Sequence, residues 1–190
     1  MKINLGIVTT IIILTCLVAF IIELADPSLL DYSSFSYSNF ITYPWVLLTS
    51  SFLHAGLMHL GYNLFALVML GYGLELKTGP KFMIMLYLTS TITGNTAFAL
   101  LFPRASAVGI SGFIYGVIGA LIIIRPKMRI LVPGFITPIP VWLGGPLMGL
   151  GEFLLSFTLA DGIAHIAHLG GLAAGLVLGF IGKVKIRPEH

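Results

Sequence analysis

The sequence predicts an all-α polytopic membrane protein, a bundle of six transmembrane helices with both termini in the cytoplasm. Of its 190 residues, 57% are hydrophobic and 9% are charged, whereas a soluble domain carries about 25% charged residues. Long stretches contain no charged residue, and the basic residues between them recur at alternate ends. This composition excludes a soluble enzyme and a disordered chain, and the ten Lys and Arg residues do not indicate a nucleic-acid partner.

Six apolar windows of about 20 residues each are long enough to cross a bilayer. The predicted spans are residues 3–22, 57–76, 82–102, 109–124, 141–160 and 162–182. Uncharged runs of this length favour helices, because a helix satisfies its own backbone polar groups in lipid. We therefore expect residues 1–190 to form one membrane domain with no soluble domain.

The segments between the spans explain their boundaries. The first span follows Lys2 and is interpreted as an uncleaved helix, because no small-residue cleavage site follows it. Residues 27–56 form a loop, since they contain Pro27, Pro44 and a polar run. The aromatic residues of this loop predict either a belt at the outer interface or a segment lying partly in the membrane beside a site. Because prolines occupy positions 133, 138 and 140, we expect the fifth span to begin at about Val141.

The basic residues predict the orientation. Nine of the ten lie on one side of the bundle, and only Arg104 lies on the other. The nine are Lys2, Lys77, Lys81, Arg125, Lys127, Arg129, Lys183, Lys185 and Arg187. Because cytoplasmic loops are enriched in Lys and Arg, we expect this side to be cytoplasmic. The short chain without a targeting segment favours a multi-pass protein of a prokaryotic plasma membrane.

Polar side chains within the spans mark candidate functional residues, because they are costly in lipid. They are His59, Asn63, Ser111, Tyr115, Glu152, His165 and His168, with His54 just before the second span. Asn63, Ser111 and His168 are each 14 or 15 residues from a basic residue on the cytoplasmic side, which is about 21–22 Å of helix. We therefore expect these three side chains at one depth, nearer the outer surface of a hydrocarbon core of about 30 Å.

The residues at this depth have the chemistry of acyl transfer. A serine hydroxyl becomes a nucleophile when a neighbouring base takes its proton, and neutral histidine is such a base near pH 7. Glycines at 171, 175 and 179 of the sixth span allow the close helix crossing that would bring Ser111 to His168. His59, Asn63 and the Ser111 amide could stabilise the developing oxyanion. Hydrolysis also needs water, so the site should open to the extracytoplasmic side.

No acidic third member of the site is predicted. Asp161 is seven residues from His168, about 10 Å along the helix, and Glu152 lies on another span. The sequence therefore predicts a Ser–His dyad and assigns no role to Glu152.

Three blocks of the sequence resemble the rhomboid intramembrane serine proteases. The segment GISGFIYG at 109–116 resembles the GxSGxxYG signature of that family. The segment HAGLMHLGYN at 54–63 resembles its HxxxN block, and AHLGGLAAG at 167–175 resembles its AHxGG block. The resemblance covers about residues 45–180, and three blocks in the right order are highly specific. Two features depart from the family pattern: Ile110 replaces a frequent alanine, and Val46 follows Trp45 where some members have arginine.

The resemblance implies a role for each matched residue. Ser111 is implied as nucleophile, His168 as general base, His59 and Asn63 with the Ser111 amide as oxyanion hole, and Tyr115 as packing on His168. The implied activity is cleavage of transmembrane protein substrates near their outer ends, without metal or cofactor. The family block, not the spacing, selects His168 over His165. The oligomeric state is not predicted.

Two other functions stay open at this point. One is a transporter or proton channel in which His59, His165, His168 and Glu152 relay protons. The other is an inactive relative that binds transmembrane helices without cutting them. A metal protease is disfavoured because the sequence contains no HExxH motif.

Overall fold

The computed structural model describes residues 6–157 and 163–185, and it confirms an all-α multi-helix membrane protein. Within these residues, four helices are long and apolar enough to cross a membrane, and two apolar helices are shorter. The long ones are α1 (Ile7–Ala25), a continuous helix over Leu57–Thr78, α7 (Pro80–Leu101) and α10 (His165–Lys185). The shorter ones are α8 (Ser111–Ile124) and α9 (Val141–Leu155).

Shorter elements complete the described chain. The helix over Leu57–Thr78 consists of α5 (Leu57–Ala66), a π-helical turn (Leu67–Gly71) and α6 (Tyr72–Thr78). The loop after α1 contains α2 (Leu29–Ser33), α3 (Tyr37–Thr42), α4 (Val46–Thr49) and a 3₁₀ turn (Ser50–Phe52). A two-residue hairpin between α8 and α9 pairs β1 (Arg129–Ile130) antiparallel with β2 (Ile139–Pro140).

Several helix boundaries differ from the predicted spans. The first helix continues three residues past the predicted end at 22, because Glu23 faces inward and its carboxylate accepts the His54 amide at 3.0 Å. The third helix begins at Pro80 rather than 82, since proline suits the first helical position. The fourth begins at 111 rather than 109 because Gly109 has a φ of 112°, outside the helical range.

The boundaries of the last two spans are only partly described. Helix α9 ends at Leu155, five residues before the predicted end, and the remaining residues from 158 lie outside the described chain. Helix α10 begins at His165 rather than 162, and residue 162 also lies outside the described chain.

The second helix ends at Thr78, two residues later than predicted, before Gly79 with a φ of 84°.

Helix α10 packs against both α7 and α8, and glycines make this packing close. The Gly171 and Gly175 positions of α10 lie directly against the backbones of Gly112 and Gly116 in α8. On the α7 side, a Cβ added to Gly94 would lie 2.6 Å from the Ala167 carbonyl oxygen. Because the backbones touch, short side chains on α8 and α10 can meet.

The aromatic loop after α1 lies beside the start of α8. Phe35 and Val46 are buried against Phe98 and Ala167. The backbone of Phe35 pairs with Ala107, just before α8, through hydrogen bonds of 2.8 and 2.9 Å. This loop therefore supports the chain segment that leads into Ser111.

Candidate active site

Ser111 begins helix α8, directly after a sharp turn of the chain. Gly109 supplies the turn with its left-handed φ of 112°, which glycine adopts without steric cost. The Ile110 side chain is fully buried in the core. Ser111 thus lies at a helix N-terminus, where unpaired backbone N–H groups and the helix dipole favour negative charge.

The serine and the histidine from the two glycine-rich helices are in contact. The Ser111 Oγ and the His168 Nε2 are 2.7 Å apart, which is hydrogen-bond distance. The Tyr115 ring stacks on the His168 imidazole, with centroids 4.5 Å apart and planes inclined by 7°. The imidazole is therefore held on one face by Tyr115 and at one nitrogen by Ser111.

His59 and Asn63 lie on the other side of the same turn. A Cβ added to Gly109 would lie 2.8 Å from the His59 Nε2 and 3.5 Å from the Asn63 Nδ2. Asn63 is buried, and its amide nitrogen has no hydrogen-bond partner among the described residues. Buried donors are rarely left unpaired, so this nitrogen is available to an acceptor that enters beside Ser111.

Glu152 joins the site from helix α9. Its Oε2 lies 2.9 Å from the His168 Nδ1 and 2.6 Å from the His165 Nδ1. Its Oε1 accepts a hydrogen bond from the Tyr115 hydroxyl. The carboxylate therefore links Tyr115 of α8 to both histidines of α10.

This contact was not predicted, although one feature pointed to it. Glu152 is an acidic residue inside the apolar fifth span, and such a group needs a partner in the membrane. Distances along a helix give depth but not the direction in which a side chain points, so the partner could not be chosen. The alternative acid, Asp161, lies outside the described residues.

Within the described chain, one cluster of side chains has ligand atoms close enough together to hold a metal ion: Glu152, His165 and His168. One potential ligand atom from each of Glu152, His165 and His168 lies within 4.8 Å of the others. Two of the separations are 2.6 and 2.9 Å, whereas tetrahedral zinc with bonds of about 2.0–2.1 Å separates its ligand atoms by roughly 3.3 Å. The cluster is therefore spaced as hydrogen-bonded side chains.

His54 supports the site from behind His59. The two imidazole rings meet edge-on with centroids 5.1 Å apart, and the His54 Nδ1 donates to the Phe52 carbonyl at 3.1 Å. Burial, reinforced by the neighbouring His59, lowers the pKa of His54 to about 4. His54 is therefore neutral near pH 7 and acts as a packing partner of His59.

A small cavity of about 20 Å³ borders Ser111. It is lined by the turn at Gly109, by Thr91 and Asn95 of α7, and by Ala167. This volume is enough for about one water molecule. Ser111 therefore borders a space that can hold one water molecule.

The fold is that of a helical membrane protein in which a serine at a helix N-terminus contacts a histidine. The chain matches the Rhomboid domain over residues 42–184. It is therefore a member of the rhomboid family of membrane proteins.

Named relatives support this membership. The chain is 34% identical over 132 residues to Rhomboid protease GluP of Bacillus subtilis, covering 69% of this chain and 24% of that protein. It is 31% identical over 157 residues to Rhomboid protein 1, mitochondrial, of Saccharomyces cerevisiae, covering 75% and 43%. It is 30% identical over 146 residues to RHOMBOID-like protein 4 of Arabidopsis thaliana, covering 77% and 35%. The chain thus spans less than half the length of these relatives.

Proposed function

We propose that this protein is an intramembrane serine endopeptidase that cleaves transmembrane protein substrates. The observation that carries the proposal is the 2.7 Å contact between the Ser111 Oγ and the His168 Nε2, made between two helices of a membrane protein. A further support is the relative in Bacillus subtilis, which is named a rhomboid protease.

The reaction begins with attack by Ser111. Its Oγ forms a bond to the carbonyl carbon of the scissile peptide while its proton passes to the His168 Nε2. The carbon–nitrogen bond then breaks, and His168 gives that proton to the leaving amine. Water repeats the sequence on the acyl-enzyme, with His168 again accepting a proton, and releases Ser111 with a carboxylic acid product.

The oxyanion of the tetrahedral intermediate needs fixed donors. Three donors border the turn at which this oxygen would form: the Asn63 amide, which has no partner among the described residues, the His59 ring and the Ser111 backbone N–H. Donors that are already oriented need no reorganisation as charge develops, and this is how they lower the barrier.

The proposed topology has six transmembrane helices in one domain, with both termini in the cytoplasm and the site opening to the extracytoplasmic side. The positions of the basic residues support it, because Lys77 and Arg125 end the helices that carry Asn63 and Ser111. Substrate segments enter from the bilayer and are cut near their outer ends. A prokaryotic plasma membrane suits this arrangement.

The test is cleavage of a model transmembrane substrate by the purified protein in lipid vesicles. We expect cleavage by the wild type, none by Ser111→Ala or His168→Ala, and a reduced but measurable rate with His165→Ala, since His165 does not contact the nucleophile. Equal loss in the two histidine variants, or full activity in His168→Ala, would contradict the assignment of the base.

The same vesicles separate the other functions. A proton relay through the histidines and Glu152 would dissipate a pH gradient and would not require Ser111. An inactive relative would bind the substrate helix and leave it intact. Either result with folded wild-type protein would overturn the protease proposal.

A further inference from the structure

We propose that the active site is a Ser111–His168–Glu152 triad rather than a dyad, with Glu152 as the residue that positions His168. This inference rests on the proposed protease function and assigns a further residue to the same site. Glu152 does not touch the substrate; it acts through the imidazole.

The first step of the argument concerns which imidazole nitrogen carries the proton. An ionised carboxylate only accepts hydrogen bonds. The 2.9 Å contact between the Glu152 Oε2 and the His168 Nδ1 therefore requires that Nδ1 carry a hydrogen. In the neutral ring the lone pair is then on Nε2, the nitrogen that lies 2.7 Å from the Ser111 Oγ. Glu152 thus selects the tautomer in which His168 can take the serine proton.

The second step concerns how the carboxylate itself is held. Glu152 is buried, at 9% exposure, and a buried carboxylate needs several donors. Tyr115 donates to Oε1, while His165 and His168 share Oε2. Because donors on two helices converge on one group, its position relative to the His168 ring is fixed.

The third step concerns the charge that forms during the reaction. Proton transfer from Ser111 converts His168 to a cation inside a buried site. A carboxylate 2.9 Å away stabilises that cation, as the acid does in serine protease triads on unrelated folds. Tyr115 contributes twice, because it stacks on the cation and orients the carboxylate.

The decisive variant is Glu152→Gln, which keeps the shape of the side chain. Its amide can place an N–H against the His168 Nδ1 and so favour the tautomer with hydrogen on Nε2. We expect kcat for the vesicle-bound substrate to fall by about 10²-fold or more, up to the roughly 10⁴-fold drop of the corresponding change in a serine protease triad, with KM within about twofold. Glu152→Asp retains a carboxylate, and we expect it to recover part of kcat.

A matched control lies next to Glu152 on the same helix. A Cβ added to Gly151 would meet no atom of the described residues within 4 Å, so Gly151→Ala should keep both kcat and thermal stability. A structural role for Glu152 would lower kcat in Glu152→Gln without recovery in Glu152→Asp, and it would lower the thermal stability of both variants. That result would overturn the proposal.

The tautomer can be measured without activity. In ¹⁵N-histidine-labelled wild type, the signal that disappears in His168→Ala should show a protonated Nδ1 and an unprotonated Nε2, and the pattern should change in Glu152→Gln. A wild-type ring protonated at Nε2 alone, or a folded Glu152→Gln variant with wild-type kcat, would overturn the triad. Wild-type protein without Ser111-dependent cleavage would instead overturn the proposed function.

Discussion

Asn63 is the residue at which the proposed oxyanion site can be tested most cleanly. Its amide nitrogen is buried and has no partner within the described chain. Removing it therefore breaks no hydrogen bond made by that nitrogen in the resting protein. We expect Asn63→Ala to lower kcat by about 10²–10³-fold, the usual cost of losing one oxyanion donor, with thermal stability little changed.

The control measurement is thermal unfolding of the same Asn63→Ala preparation. A wild-type kcat in Asn63→Ala would contradict the assignment of Asn63 to the oxyanion site. A loss of kcat in proportion to lost folded protein would give Asn63 a structural role instead.

The residues of the candidate site differed in how far the sequence could predict them. Ser111 and His168 could be paired because helix rise predicts the same depth for both, and their side chains are in contact in the structure. Glu152 could not be joined to them, because its contact depends on how α9 is rotated against α8 and α10. The rotation of a helix about its axis is set by its side-chain packing against neighbouring helices. The pattern of polar residues within one span does not reveal that rotation.

At the scale of elements, the close packing of α10 brings the two reacting side chains together. Gly94 of α7 touches the backbone of Ala167, the residue before His168. We expect Gly94→Ala to force these helices apart, to destabilise the fold by about 1–3 kcal/mol, as overpacking does, and to reduce cleavage. Denaturation in detergent and the vesicle assay would measure the two effects.

Gly61 of α5 is the matched control for this change. A Cβ added there would meet no atom of the described chain within 4 Å. Gly61→Ala should therefore leave cleavage intact and stabilise the helix by up to about 1 kcal/mol. Equal losses in both alanine variants would contradict the importance of the α7–α10 contact.

The elements themselves were predicted with uneven success. Apolar length located the helices, and their ends differ by only a few residues where the end depends on a local cap or turn, as at Pro80 and Gly109. The short helices between Leu29 and Thr49 were not predicted, because this loop has no hydrophobic periodicity. Glu23, in the last turn of α1, is buried, and its carboxylate accepts a hydrogen bond from the His54 amide.

At the scale of the whole molecule, the proposed orientation places the hairpin between α8 and α9 in the cytoplasm and Arg104 outside. Cys16, the one cysteine of the chain, is fully buried, so introduced cysteines can be labelled selectively. We expect an impermeant maleimide to label Arg104→Cys in intact cells and Ile136→Cys, at a fully exposed position, only after permeabilisation. The reverse pattern would invert the topology.

The contact between Ser111 and His168 is the centre of the proposal, and covalent labelling tests it most directly. A fluorophosphonate reacts with a serine only when a base activates the hydroxyl. In protein held in lipid vesicles, we expect rapid labelling of the wild type, none of Ser111→Ala, and labelling of His168→Ala slowed by several orders of magnitude. Labelling that persists in Ser111→Ala, or proceeds at the wild-type rate in folded His168→Ala, would contradict it.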